Sequence, residues 1–147
     1  MDVNQNIDLI VKIFGDQMPF NRLLGLTRDS FNAEKSCITF PWKDDWMGNL
    51  KYKTLHGGLI SAMLDTAGGF AVLVHFAQTP TLLERIKKAK IGTIDLRIDY
   101  LQPGRGNYFV ASGQILRVGG KVAFVRTELR NDEEQLIAIG TGNWAIG

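Results

Sequence analysis

Apolar positions recur along the 147-residue chain with two periods, one near 3.6 in the first part and one of two in the last. Residues 4–14 (NQNIDLIVKIF) set Ile7, Ile10, Val11 and Phe14 at helical spacing, with Gly15 following as a stop. The stretch MPFNRLLGL (18–26) reads as a turn into a short apolar piece, and SCITFP (36–41) as a strand ended by Pro41. A loop with Trp42, Trp46, Lys51 and Lys53 then enters LHGGLISAMLDTAGGF, the start of an apolar helix over about 57–77. A second short helix, near 80–88, begins at Pro80, a tolerated position in a first turn.

Beyond residue 91 the period falls to two. Ile94, Leu96, Ile98 and Tyr100 alternate with Asp95, Arg97 and Asp99, a half-buried strand closed by Pro103 and Gly104. A strand over 108–118 meets a third over 121–131 through Gly119-Gly120, a two-residue hairpin signal, and Asn131-Asp132 turns into a fourth over 135–144. The expected order is strand, long helix, then a meander of four antiparallel strands. That is an α+β class, one helix buried against one curved sheet. No repeat, low-complexity tract or linker interrupts 1–147, so a single domain is expected. A helix apolar around most of its circumference needs cover on more than one side. The sheet covers one flank, and a second subunit is expected on another, in a homodimer or a dimer of dimers.

Composition changes this picture little. Hydrophobic residues at 45% and charged residues at 22% are ordinary for a soluble globular chain, and a net charge of +2 makes no demand for nucleic acid. A mild basic excess does suit a small polyanion. One cysteine, Cys37, excludes an intrachain disulfide, and two histidines do not make a typical zinc site, so no metal or cofactor is expected. Residues 1–15 have neither the basic start nor the small-residue cleavage pattern of a secretory signal, which points to the cytoplasm. Residues 55–77 come nearest to a membrane span, but they hold Asp65, His56, His75 and four glycines. A mid-membrane Asp costs roughly 2.5–3.5 kcal/mol on insertion scales, so a buried helix of a soluble protein is the better reading.

Two features of the long helix carry candidate chemistry. Gly57 and Gly58 leave its first turn without side chains, where backbone N–H groups lack acceptors and the helix dipole is positive. Such an end suits an oxyanion; close helix–strand packing explains a Gly-Gly equally well, and Gly68-Gly69 is read as that packing. Asp65 sits among Met63, Leu64, Ala67 and Phe70 with no basic residue between His56 and His75. A buried carboxylate there is either hydrogen-bonded to a neighbouring strand or serves as a nucleophile or general base in a cleft. His56 reads as a cap or core residue, His75 as structural, and Cys37 as a core thiol without an activating neighbour.

The run Leu55-His56-Gly57-Gly58, followed nine residues after the histidine by Asp65-Thr66-Ala67, resembles the signature of hotdog-fold acyl-CoA thioesterases of the PaaI type. MPFNRLLGL, GTIDLRIDYLQPG and GTGNW agree with it, so the similarity covers about residues 15–145. The resemblance implies a hotdog fold in which Gly57 N–H polarises the thioester carbonyl and His56 shapes the turn. Asp65 is then nucleophile or base, and Thr93 holds a water. By strict alternation Thr93 shares a face with Asp95 and Arg97, so reaching the cleft requires a kink, placed at Gly92. The family's upstream amide stands six residues before the histidine, where this chain has Leu50; Asn49 takes the role with a one-residue loop difference. Acyl-CoA is the implied substrate, with Gly58, Thr66 and Phe70 on it and the acyl group beside Phe70 and the loop of Trp42 and Trp46. Lys51, Lys53, Arg85, Lys87, Lys88, Lys90 and Arg105 are candidate phosphate contacts, against the plainer reading of ERIKKAK as a solvated helix face. Two competing functions remain: a hotdog hydratase or dehydratase, which pairs His and carboxylate differently, and a non-catalytic acyl-CoA binder, which needs no Asp65.

Overall fold

A computed structural model describes residues 2–79, 82–88 and 91–147. Helix α1 (Val3–Lys12) opens with a capping box in which Asp2 accepts from Gln5 N–H and the Gln5 side chain accepts from Asp2 N–H. Gly15 does not stop it. The chain continues as a π-helical turn over Ile13–Gln17, and Gly15 is buried where a Cβ would stand 2.7 Å from Arg28 N. Asn21 fixes this turn by donating from Nδ2 to Phe14 O at 3.1 Å. Helix α2 (Pro19–Leu23) begins on proline and ends at Gly25, whose φ of +71° favours glycine.

Strands β1 (Phe31–Asn32), β2 (Cys37–Pro41), β6 (Tyr108–Val118), β7 (Val122–Asn131), β8 (Leu136–Ala145) and β5 (Gly92–Tyr100) form one antiparallel sheet in that spatial order. Strands β3 (Met47–Asn49) and β4 (Thr54–Leu55) pair separately. The hairpins around 119–120 and 132–134 fall where the sequence places them. The four-strand meander does not: β5 skips β6 and pairs with β8 at the opposite edge. Alternation assigns a strand its faces but not its neighbours, and here β2 occupies the edge of β6.

Alternate positions of β7, among them Ala123, Val125, Thr127 and Leu129, turn inward onto the long helix α3 (Gly57–Ala77), whose bounds match the sequence reading. This helix is long and apolar enough to cross a membrane by composition alone, but here it is the core helix lying on the sheet. Phe70 is fully buried and packs against Phe14 and Phe31 at centroid distances of 5.8 and 5.2 Å. α1 covers the far end of α3, where Asn6 Nδ2 donates to Ala77 O at 3.0 Å. α4 (Leu82–Lys88) follows; Pro80, Lys90 and the side chain of Arg85 lie outside the described residues. Burial pushes the Cys37 thiol above its ordinary pKa, opposed by Lys35, although the residue is half-buried and not in the core as expected.

Of the pair Gly68-Gly69, only the first is needed for packing against the protomer's own sheet. A Cβ on Gly68 would collide with the buried indole of Trp144, whereas one on Gly69 would meet only its Nε1, at 3.9 Å. Gly68→Ala is therefore expected to lower stability by about 1–3 kcal/mol through overpacking. Gly69→Ala, which meets no such clash within its own protomer, should cost less than Gly68→Ala. Thermal unfolding of the two variants against wild type checks the contrast.

Candidate active site

The first turn of α3 is fixed from several sides. His56 is its N-cap, and its Nδ1 accepts Gly58 N–H at 2.8 Å. A Cβ on Gly58 would stand 2.9 Å from that same nitrogen, so this glycine makes room for the cap. His56 N–H donates to Trp46 O, and Leu55 N–H to Gly104 O, tying the approach to its surroundings. His56 O accepts from both Leu59 N–H and Ile60 N–H, at 3.0 and 3.2 Å. That double acceptance polarises the His56–Gly57 peptide, whose own N–H has no acceptor among the described residues. On its other side Gly57 lies against the Tyr100 ring, 3.3 Å from where a Cβ would be. Both glycines thus have packing reasons, and Gly57 keeps a polarised donor as well.

Asp65, two turns further on, is exposed in the protomer rather than buried, because it belongs to the stripe of α3 turned away from the sheet, with Gly58, Ala62 and Gly69. Its partner is a strand hydroxyl: Thr93 Oγ1 donates to Asp65 Oδ1 at 2.6 Å. Strict alternation would forbid this contact. Thr93 pairs with Trp144 and Asp95 with Asn143, so Ile94 is an extra residue, a β-bulge that shifts the phase of the strand. The kink expected at Gly92 lies two residues later. Asp95 stabilises it by accepting Asn143 N–H and Nδ2–H at 3.0 and 2.9 Å, so the interrupted ladder leaves that amide paired. Ile94 itself is 56% exposed, against the sequence reading of a half-buried position.

Asp65 and Thr93 stand at a largely apolar cleft of about 390 Å³, with Thr66, Gly69 and Leu73 of α3 along one wall. The opposite wall comes from Ile13, Phe14, Met18 and Phe20, and Ile86 and Ile91 contribute as well. Phe70 is in the core and does not line it; nor do Trp42 and Trp46, which face other hollows. The N-terminal segment was legible as a helix but its place over α3 was not, because periodicity says nothing of partners. Thr66 Oγ1 donates back to Ala62 O at 2.8 Å, so its hydroxyl is already engaged. His56 and Gly58 open on a second hollow, shared with the first only through Phe20.

Asn49 sits after an irregular β3–β4 register in which Gly48 is the extra residue. Its Oδ1 accepts Tyr52 N–H at 3.0 Å. Arg105 donates from Nε to Tyr52 O at 3.1 Å, and Lys51 Nζ lies 5.1 Å from the Tyr52 ring, so both cations gather at that turn. Lys87 and Lys88 are exposed on α4.

A core helix on an antiparallel sheet, presenting a carboxylate at an apolar cleft and a bare glycine turn at its head, defines a hotdog-fold enzyme. The family model described as "Thioesterase superfamily" matches residues 52–138. The chain belongs to the thioesterase superfamily, whose members hydrolyse thioesters. It is 38% identical to the medium/long-chain acyl-CoA thioesterase YigI of Escherichia coli, across 100% of this chain and 97% of that one. A crystal structure from Shewanella oneidensis, described as related to the thioesterase superfamily, superposes with a TM-score of 0.84 at 33% identity, covering 99% and 97% of the two chains. The E. coli PaaI protein shares the fold at a TM-score of 0.71 and 16% identity, over 99% of this chain and 93% of that one.

The Thr93 hydroxyl is the only hydrogen-bond partner of Asp65 among the described residues. Thr93→Val, which keeps the branched shape, is expected to lower kcat for thioester hydrolysis about tenfold, equivalent to about 1.4 kcal/mol. Steady-state kinetics with an acyl-CoA checks it; an unchanged kcat removes Thr93 from the mechanism.

Proposed function

We propose that the protein is a soluble, cytoplasmic acyl-CoA thioesterase of a single hotdog domain that favours medium and long acyl chains. The observation that carries the reading is Asp65, hydrogen-bonded by Thr93 at the mouth of an apolar cleft. The likeness to YigI supports the chain-length class. In the reaction the thioester carbon gains an oxygen and loses sulfur, and coenzyme A leaves as the thiol. Asp65 either attacks the carbonyl itself, giving an anhydride that water cleaves, or takes a proton from a water that attacks. Both roles need the carboxylate ionised. The carbonyl oxygen, negative in the transition state, is held by Gly57 N–H at the positive end of α3. Lys51, Lys53, Arg105, Lys87 and Lys88 are the cations available to the nucleotide phosphates.

The cleft wall also suggests a length. Asp65 and Leu73 are eight residues apart, about 12 Å along the helix axis. An extended chain advances roughly 1.2 Å per backbone bond, so about ten carbons reach from one to the other. A panel of acyl-CoAs, followed by thiol release, should show kcat/KM rising from acetyl toward decanoyl. A preference for acetyl or a small aromatic acyl group contradicts this assignment of the cleft.

Gly57 and Asp65 are separated by the same distance, about 12 Å, whereas both must lie within roughly 3 Å of one reacting centre. His56 and Gly58, on either side of Gly57, open on a different hollow of the protomer from Asp65. Two α3 helices packed antiparallel about a twofold axis, through the stripe of Gly58, Ala62, Asp65 and Gly69, bring Gly57 of one protomer beside Asp65 of its mate. The active sites are thus shared, two in each homodimer, and a dimer of dimers repeats the arrangement. Asp65→Asn should leave less than about a tenth of wild-type kcat, and Gly57→Pro, which deletes the donor N–H, should be similarly impaired. Refolded together in equal amounts, the two variants should recover up to about a quarter of wild-type activity, because half the dimers are mixed and each of these has one intact site. Subunit exchange without recovery refutes the shared site.

A further inference from the structure

We propose that Tyr100, acting with Ser61, is the positioning residue that holds the donor turn at the head of α3. The inference rests on the reading of Gly57 N–H as the oxyanion donor. Tyr100 stands near the end of β5, on the same inner face as Leu96 and Ile98 after the bulge. Its hydroxyl donates to Gly57 O at 3.1 Å and lies 2.8 Å from Ser61 Oγ, which donates to Gly57 O at 3.0 Å. Three short contacts are thus served by two hydroxyl protons, so the two hydroxyls act as one unit, either relaying through each other or sharing the carbonyl. The ring adds a steric stop, since it lies against Gly57 where a side chain would be.

A helix head is ordinarily the part that frays, and an exposed first turn of glycines has the least to hold it. An oxyanion donor must instead be preorganised, because a turn that reorients during reaction gives back what the hydrogen bond contributes. His56 fixes the peptide after Gly57 through Gly58 N–H, and Tyr100 with Ser61 fixes the Gly57 carbonyl. The Gly57–Gly58 peptide is therefore clamped at both its groups, its N–H by His56 and its carbonyl by Tyr100 and Ser61, and it holds the donor N–H on the preceding peptide through the Cα of Gly57 that the two share. With 54% of its surface exposed, Tyr100 is not retained for burial in the protomer core. The role reaches the substrate only through Gly57, so it should appear in kcat and not in KM.

The test is a set of variants in the dimeric enzyme with one good acyl-CoA substrate. Tyr100→Phe keeps the ring and removes the hydroxyl; it should lower kcat about five- to tenfold with KM within twofold and an unchanged thermal midpoint. Ser61→Ala, a second and independent removal, should act in the same direction, and the double variant should lose less than the product of the single losses, since the two act as a unit. In a Gly57→Pro background, where no N–H remains to be positioned, Tyr100→Phe should have no further effect on the residual rate. A kcat within twofold of wild type for Tyr100→Phe, or the same fold-loss with and without Gly57→Pro, overturns the proposal. Full activity of Gly57→Pro itself overturns the donor reading instead, and the two failures are thereby told apart.

Discussion

Everything in the site depends on how closely α3 lies on the sheet. The indole of Trp144 fills the space left by the missing side chain of Gly68, and Gly113 of β6 lies beneath Ala67 and Ala71, where its own Cβ would stand 2.6 Å from that of Ala71. Interiors packed at this density do not slide, so the height and rotation of the helix are set by these contacts. From that seat, Met63, Leu64, Ala67 and Phe70 point into the core while Asp65 emerges on the opposite stripe. The carboxylate among apolar residues is thus no anomaly of burial. It is a surface position on an otherwise enclosed helix, and its environment is completed by strand β5 and by the N-terminal segment over the cleft.

Strand β5 is the second organising element. It meets α3 near both points proposed to act in the reaction, through Thr93 at Asp65 and through Tyr100 at Gly57. Its edge position makes this possible, since pairing with β8 on one side leaves the other side free of the sheet. In a shared-site dimer the two contacts of one strand serve different reaction centres, one on each side of the twofold axis.

Much of this was legible in the residues. The bounds of α3 follow from unbroken apolar character between the His-Gly-Gly start and the polar Gln78, and the hairpins of β6, β7 and β8 follow from Gly-Gly and Asn-Asp. Neighbour relations were not legible, which is why β5 was read beside β6. The bulge at Ile94 escaped because an extra residue looks like any other apolar position until its partner strand is in place; the Asp that takes up Asn143 N–H is visible only in pairing. Phe70 was assigned to the cleft by the resemblance, but the side chains of Phe14 and Phe31 claim it for the core. Gly15 read as a terminator, whereas a widened helical turn carries the chain past it and brings Met18 and Phe20 to the cleft.

The bulge has a bearing on descent. What it requires of the sequence is a count, three residues from Gly92 to Asp95, more than an identity at Ile94, whose side chain is turned out to solvent. Drift at that codon would be nearly silent. Loss of the bulge with the residue kept would not: a regular strand in which Ile94 takes a place in the ladder, with the later pairs kept in register, turns the Thr93 hydroxyl to the outer face and leaves Asp65 without its partner. The core, the cleft and the glycine turn would all survive. A one-residue shift of register therefore separates an enzyme of this architecture from one that holds the same acyl thioesters and cleaves them about tenfold more slowly.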